Sequence, residues 1–199
     1  QYRNAIACWE NAAALDGSFP TVWRNLSLAS FNQLHDPEKA RRQMERAYEL
    51  DESDARVLLE LHQLYGRLRF SPSERLAFLD KHRDVAFQRD DVYTEYCTLL
   101  NDLGRYQEAL DLLMAHTFHP WEGGEGKVPA QYQRCRVELA KQAMAAGRWA
   151  DAVALLEECL VYPEHLGEGK LYGAQEQDFY YWLGCAWQGA GDAAKARET

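Results

Sequence analysis

Apolar residues along this chain recur three and four positions apart rather than every second position, a period that predicts helices and not strands. The stretches Val22-Trp23-Arg24-Asn25-Leu26, Val57-Leu58-Leu59-Glu60-Leu61, Val92-Tyr93-Thr94-Glu95-Tyr96 and Phe179-Tyr180-Tyr181-Trp182-Leu183-Gly184 each carry an apolar anchor followed three residues later by another. A second class of segment has small residues seven apart with a large apolar residue between them. Ala5 and Ala12 flank Trp9, Ala40 and Ala47 flank Met44, and Ala152 and Cys159 flank Leu156. Small residues two turns apart share one helix face and let a neighbouring helix approach closely. Starts are marked too: Asp36-Pro37 reads as an N-cap with proline in the first turn, and Ser71-Pro72-Ser73-Glu74 as a capping box. Together these patterns predict eleven helices and essentially no strand.

The helices come in repeats. Gly104-Arg105-Tyr106-Gln107-Glu108-Ala109 returns as Gly147-Arg148-Trp149-Ala150-Asp151-Ala152, and more weakly as Gly191-Asp192-Ala193-Ala194-Lys195-Ala196. Taking Ala5, Ala40, Leu76, Ala109, Ala152 and Ala196 as markers gives spacings of 35, 36, 33, 43 and 44 residues. The first three fit a two-helix unit of about 34 residues. The last two carry extra residues. The copy at Leu76 is the most degenerate, because Asp80 and Arg83 stand where apolar or small residues are expected.

In register, the pattern reads aromatic, leucine, small residue, then Gly-x-aromatic-x-x-Ala, then a closing Asp or Pro. It is clearest from Tyr93 to Pro120 and from Tyr180 to Ala196, with Asp16, Asp51 and Pro120 closing units. This resembles the tetratricopeptide repeat (TPR). The resemblance implies an all-α, right-handed TPR-like superhelical solenoid of antiparallel helix pairs, in one array over residues 1–199. Its units would run approximately 1–19, 20–53, 54–89, 90–127, 128–174 and 175–199. It further implies a concave groove, lined by the first helix of each pair, that binds a protein or peptide. Candidate groove residues are Arg24, Asn25, Leu28, Asn32, Glu60, Gln63, Thr94, Glu95, Thr98, Asn101, Arg134, Val137, Lys141 and Tyr181. Some TPR domains hold a peptide C-terminal carboxylate with Lys, Asn and Arg on consecutive first helices. Arg24 and Asn25 could begin such a clamp, but Glu60, Gln63 and Glu95 do not continue it.

Composition narrows the partners. Lys+Arg 22 against Asp+Glu 31 gives a net charge of −9, the wrong sign for a general nucleic-acid binder. No apolar run approaches the roughly 18 residues that cross a bilayer, so no membrane role is expected. The five cysteines, Cys8, Cys97, Cys135, Cys159 and Cys185, form no CxxC and read as buried reduced thiols of a cytoplasmic protein. The chain opens on Gln1 with the helical pattern already running, which suggests a piece of a longer chain whose two ends expose apolar surface, Trp9 included.

The extra residues form a motif of their own. Pro120-Trp121-Glu122-Gly123-Gly124-Glu125-Gly126-Lys127 and Pro163-Glu164-His165-Leu166-Gly167-Glu168-Gly169-Lys170 share Pro, three residues, then Gly-Glu-Gly-Lys, and lie 43 residues apart. A phosphate-binding P-loop is excluded, since its first glycine is Trp121 or Glu164 and the residue after lysine is Val128 or Leu171. Two readings stay open: tight connections with locally satisfied charges, or a recognition ridge in which Trp121, Glu125, Lys127, Glu168 and Lys170, with Tyr132, Tyr162, Tyr172, Phe179 and Trp182 nearby, meet a partner, a flanking domain or a carbohydrate. Equivalent insertions should emerge side by side, with Trp121 and His165 near the join. Such insertions also resemble those of large bacterial proteins that pair a carbohydrate-enzyme-like β-sandwich with a TPR array. That resemblance implies a carbohydrate-binding or accessory role as the alternative. No catalytic set, cofactor site or metal site is expected. Glu125 and Glu168 recur in similar surroundings, whereas an acid–base pair needs different ones, and His116 and His119 read as helix-end caps.

Overall fold

The computed structural model describes residues 2–199, and among them there are twelve α-helices, one 3₁₀ turn and no strand. The chain packs as two compact units, residues 1–93 and 94–199.

In the first unit, α1 (Tyr2–Leu15), α2 (Pro20–Asn32), α3 (Pro37–Leu50), α4 (Ala55–Arg67) and α5 (Pro72–Lys81) follow one another through short turns, and α6 (Arg83–Ala86) is a single turn. The start signals act as read. Asp36 caps α3 through the Lys39 N–H, and Ser71 with Glu74 forms the capping box of α5. Ala40 and Ala47 are fully buried at the α2–α3 crossing. Close approach there also lets buried hydroxyls join the helices: Ser27 Oγ donates to Ala40 O at 2.7 Å, and Ser30 Oγ to Gln43 Oε1 at 2.6 Å. The degenerate repeat accounts for the twelfth helix. Polar residues at 80 and 83 cannot continue an apolar face, so α5 stops at His82 and the chain restarts as α6. An aromatic cluster replaces the small-residue packing: Tyr48 meets His82 at 4.9 Å, and Tyr65 meets Phe78 at 5.1 Å, both edge-on. Burial in that cluster holds the His82 imidazole below its usual pKa.

The second unit takes most of α7 (Asp90–Asp102), then α8 (Tyr106–Ala115), α9 (Lys127–Ala145), α10 (Trp149–Cys159), the 3₁₀ turn Glu164–Leu166, α11 (Gln177–Gly189) and α12 (Lys195–Glu198). Its core joins Val137, Ala140, Ala143, Ala152, Val153, Leu156, Cys159, Leu183 and Ala186. Ala109, Ala152 and Cys159 are fully buried, as their spacing requires. The repeated glycine ends the first helix of a pair. Gly147 sits at φ 73°, which only glycine adopts cheaply, and lets the Arg148 N–H reach back to Ala143 O at 2.8 Å.

The cysteine expectation needs correction at two positions. Cys97, Cys135 and Cys159 are buried free thiols, but Cys8 is exposed and Cys185 half-buried. Cys8 lies two residues, about 200° of helix rotation, from Ile6, which faces the core in α1, and Cys185 lies off the line of Leu183 and Ala186, which face the core in α11.

Candidate functional site

The first unit brings several sequence-predicted groove residues to one place. Leu28 and Asn32 from α2 face Glu60 and Gln63 from α4 across a cleft of about 200 Å³. Ser27 and Met44 form its floor, and Phe31, Leu64 and Arg67 complete its walls. The period explains the gathering: residues 28, 31 and 32 share one face of α2, as 60, 63, 64 and 67 share one face of α4. The Arg67 guanidinium stands over the Phe31 ring at 5.5 Å, a cation–π contact that sequence reading did not identify. Arg24 lies outside the lining and reaches it through Glu60. It meets Glu60 bidentately at 2.6 and 2.5 Å, with Arg56 at 3.4 Å from the same carboxylate. The Glu60 hydrogen bond raises the pKa of the Arg24 guanidinium, and the charge that a carboxylate clamp would use is neutralised. Asn25 instead lines a neighbouring hollow with Ile6, Trp9, Leu28 and Asn32.

In the second unit the predicted groove residues are engaged within the protein. Asn101 is 1% exposed. Its amide donates to Gln131 Oε1 at 3.0 Å, and its carbonyl oxygen accepts from the Cys135 thiol at 3.0 Å. Burial makes Asn101 a tie between α7 and α9 and removes it from any outer surface. Gln131 and Cys135, its partners, lay outside the sequence-based candidates. Thr98 donates to Thr94 O of its own helix at 2.8 Å, and Arg134 pairs with Asp102 at 2.7 Å. Val137 is buried in the core. Lys141 pairs with Glu138 at 2.7 Å and stands 4.9 Å from the Trp182 ring. Tyr181, 65% exposed, meets the edge of that same indole. Burial raises the Cys135 thiol to about 11 and the Cys159 thiol to about 12, so both are protonated at neutral pH.

The two insertions lie against each other in this unit. Phe118 N–H donates to His165 O at 2.8 Å, and Gly126 N–H donates to a Glu168 oxygen at 2.6 Å. At Gly167, φ 78°, an added Cβ would stand 2.6 Å from Phe118 O, so any other residue would force the backbones apart. Gly126 is the N-cap of α9 and has no side chain to cap with, so Glu168 supplies a carboxylate at that helix N-terminus from the neighbouring repeat. Trp121 packs on its own loop at Gly124, where a Cβ would overlap the indole, while His165 provides the join through its carbonyl. Glu125 accepts only from Gly123 N–H at 3.3 Å and is exposed, as is Lys127.

Repeat-equivalent lysines therefore have different surroundings. Lys127 begins α9, whereas Lys170 precedes α11 by seven residues and pairs with Glu176 at 2.6 Å. An Ala-Gln pair follows each insertion, Ala130-Gln131 and Ala174-Gln175; the second copy has one more residue between lysine and that pair, and Gly173, φ 78°, falls in that stretch and keeps it from joining the helix. Glu176 is buried and also accepts from Tyr162 Oη at 3.0 Å. The Lys170 hydrogen bond holds its carboxyl below 4.5 and correspondingly raises the lysine. Among the described residues no group of three or more His, Cys, Asp or Glu side chains is placed to hold a metal ion, and no helix is long and apolar enough to cross a membrane. His116 ends α8 and packs edge-on against Phe118 at 4.5 Å.

No family model matches the chain. Among solved structures it is similar to YrrB, described as a TPR protein with an unusual peptide-binding site. That match has 18% identity over 96% of this chain and 87% of the other, with a TM-score of 0.59. It is also similar to MamA, at 17% identity over 92% and 88% with a TM-score of 0.56, and to BtubC (BKLC) of P. vanneervenii, at 18% over 99% and 84% with a TM-score of 0.52. Identity this low establishes the fold alone: an all-α, TPR-like solenoid of antiparallel helix pairs.

Proposed function

We propose, on the premise of that fold, that this chain is a non-catalytic protein-interaction scaffold that holds an extended peptide on the first-helix face of residues 1–93. One observation carries the reading. Met44, Leu28, Phe31 and Leu64 give the α2–α4 cleft apolar surface, while Asn32, Gln63 and Arg67 add polar groups to its lining. An extended peptide presents alternating side chains and a backbone rich in donors and acceptors. Such a cleft takes an apolar side chain below and hydrogen-bonds the backbone above. Arg24 acts as a wall-positioning residue through Glu60, and Trp121, Glu125, Lys127, Glu168 and Lys170 belong to the insertion ridge rather than to the cleft. The peptide-binding site in the description of YrrB is of the same ligand class.

The test is selection of peptides from a random library on the intact chain, followed by titration against Leu28→Asp and Gln63→Ala. Selected peptides should lose about tenfold or more in affinity for Leu28→Asp, the size of one buried aliphatic contact. Equal affinity for both variants and the unchanged chain would contradict the proposal. Parallel titration with soluble oligosaccharides separates the carbohydrate reading, which rests on aromatic side chains beside the insertions' glutamates, with Tyr172 exposed among them.

A further inference from the structure

The α2–α4 cleft has a neighbour. A second hollow of about 200 Å³ opens between α1 and α2, with Ile6 and Trp9 on its α1 side. Leu28 and Asn32 line both hollows, so the two flank a single ridge of α2. Residues 28 and 32 are about one turn apart and follow one another along that ridge. Apolar surface is therefore offered on both sides of the ridge and, through the 37% exposed Leu28, on the ridge itself.

Polar groups are left over at the same place. Among the described residues, neither the Asn32 nor the Gln63 side-chain amide has a hydrogen-bond partner. Charge is unbalanced as well. Glu60, the one carboxylate of the cleft lining, is met by both Arg24 and Arg56. The Arg67 guanidinium rests over the Phe31 ring and pairs with no carboxylate among the described residues. Asp54 caps the opposite end of the same helix, about 20 Å away along its axis and well outside the roughly 8 Å reach of a screened charge. In a chain of net charge −9, this cleft holds an unmatched cation.

We propose that the two hollows together hold an acidic peptide with two apolar anchors about three residues apart, one in each hollow, whose backbone crosses α2 at Asn32 and whose acidic side chain, next to the α2–α4 anchor, pairs with Arg67. This rests on the peptide reading of the cleft and extends it to what the peptide must carry. The spacing follows from the ridge. A helix with its side chains is about 10 Å across, and a polyproline-type chain returns its side chains to one face after three residues, about 9 Å. The Asn32 carboxamide carries a donor and an acceptor, the complement of one peptide unit. Arg67 is already held over Phe31, so little side-chain freedom is lost when it takes a carboxylate.

The experiment is selection from a random peptide library on the intact chain, read for sequence and then dissected with synthetic variants of one selected peptide. Selected peptides should share two apolar residues three positions apart, with Asp or Glu adjacent to one of them. Replacing that acid by its amide should weaken binding about fivefold or more. Arg67→Gln should weaken the acidic peptide by a similar factor, leave the amide peptide unchanged, and leave the thermal midpoint of the protein in place. Serine at either anchor should cost about tenfold. The Trp9 indole N–H should shift on titration in NMR, and the shift should vanish for the peptide whose α1–α2 anchor is serine. Peptides that bind and are weakened by Leu28→Asp, yet bind the Arg67→Gln chain equally well or leave Trp9 unmoved, would overturn this inference and leave the cleft reading standing. Selection of no peptide at all would end both.

Discussion

In residues 1–93 the first helices turn Leu28, Asn32 and Gln63 toward an open cleft. In residues 94–199 the corresponding helices bury Asn101 and Val137, turn Thr98 onto its own helix and pair Arg134 with Asp102. The same positions in the repeat therefore do two jobs. The difference comes from what the neighbouring helix offers. Opposite Asn101 stand Gln131 and the Cys135 thiol, which satisfy an amide at both ends and draw it into the core. Asn32 shares the cleft lining with Gln63 and Arg67, and the Arg67 guanidinium stands over Phe31. A groove position in such an array is a binding position only where its neighbour leaves it unsatisfied.

The largest effect should come from removing the internal tie. Asn101→Ala leaves the Gln131 amide oxygen and the Cys135 thiol without their buried partner and should cost about 2–3 kcal/mol in denaturant unfolding, with peptide affinity unchanged. Asn32→Ala should do the reverse, with stability held within about 0.5 kcal/mol and affinity reduced. Equal stability losses in the two variants would erase the distinction between the units.

The insertions sharpen the same lesson at lower amplitude. Two glutamates at equivalent places would each be expected to contribute a few tenths of a kcal/mol as solvated ion pairs. The structure separates them. Glu168→Ala removes the cap from α9 and should cost about 1 kcal/mol, while Glu125→Ala, whose carboxylate meets only Gly123 of its own loop, should cost a few tenths. Thermal midpoints of the two single variants check this directly.

The smallest effect is electrostatic. The Glu176 carboxyl is held below 4.5, so its contribution to stability is present above that pH and is lost as the pH falls through the folded-state value. Lys170 is raised above 10.5, so its share is present below that pH and fades as the pH rises through the folded-state value. Lys170→Met should flatten the acid limb of the stability profile slightly and leave the neutral plateau nearly unchanged.

Much of the architecture was legible because it depends on short-range rules. The seven-residue spacing of Ala40 with Ala47 and of Ala152 with Cys159 put each of them at a crossing, and the Ser71 capping box formed as written. The twelfth helix was not: Asp80 and Arg83 marked a weak copy, but its restart as a separate turn, α6, lies beside an aromatic cluster of Tyr48, Tyr65, Phe78 and His82 that local pattern cannot bring together. Juxtaposition of the insertions followed from repeat symmetry, but their unlike partners did not. One extra residue before Ala174, and the left-handed Gly173 in that stretch, separate Lys170 from its helix, and no periodicity announces that. The cleft was half legible: its residues were nameable from helix phase, while the burial of Asn101 required knowing what faced it.

The central claim is that ligand contacts fall on the first-helix face of residues 1–93 and spare the equivalent face of residues 94–199. Hydrogen–deuterium exchange and side-chain amide NMR of the intact chain, with and without a selected peptide, test it most directly. Signals of Asn32, Gln63 and Arg67 should move or gain protection while those of Asn101 and Gln131 stay fixed. Movement of Asn101 and Gln131 with Asn32 and Gln63 unchanged would contradict the account.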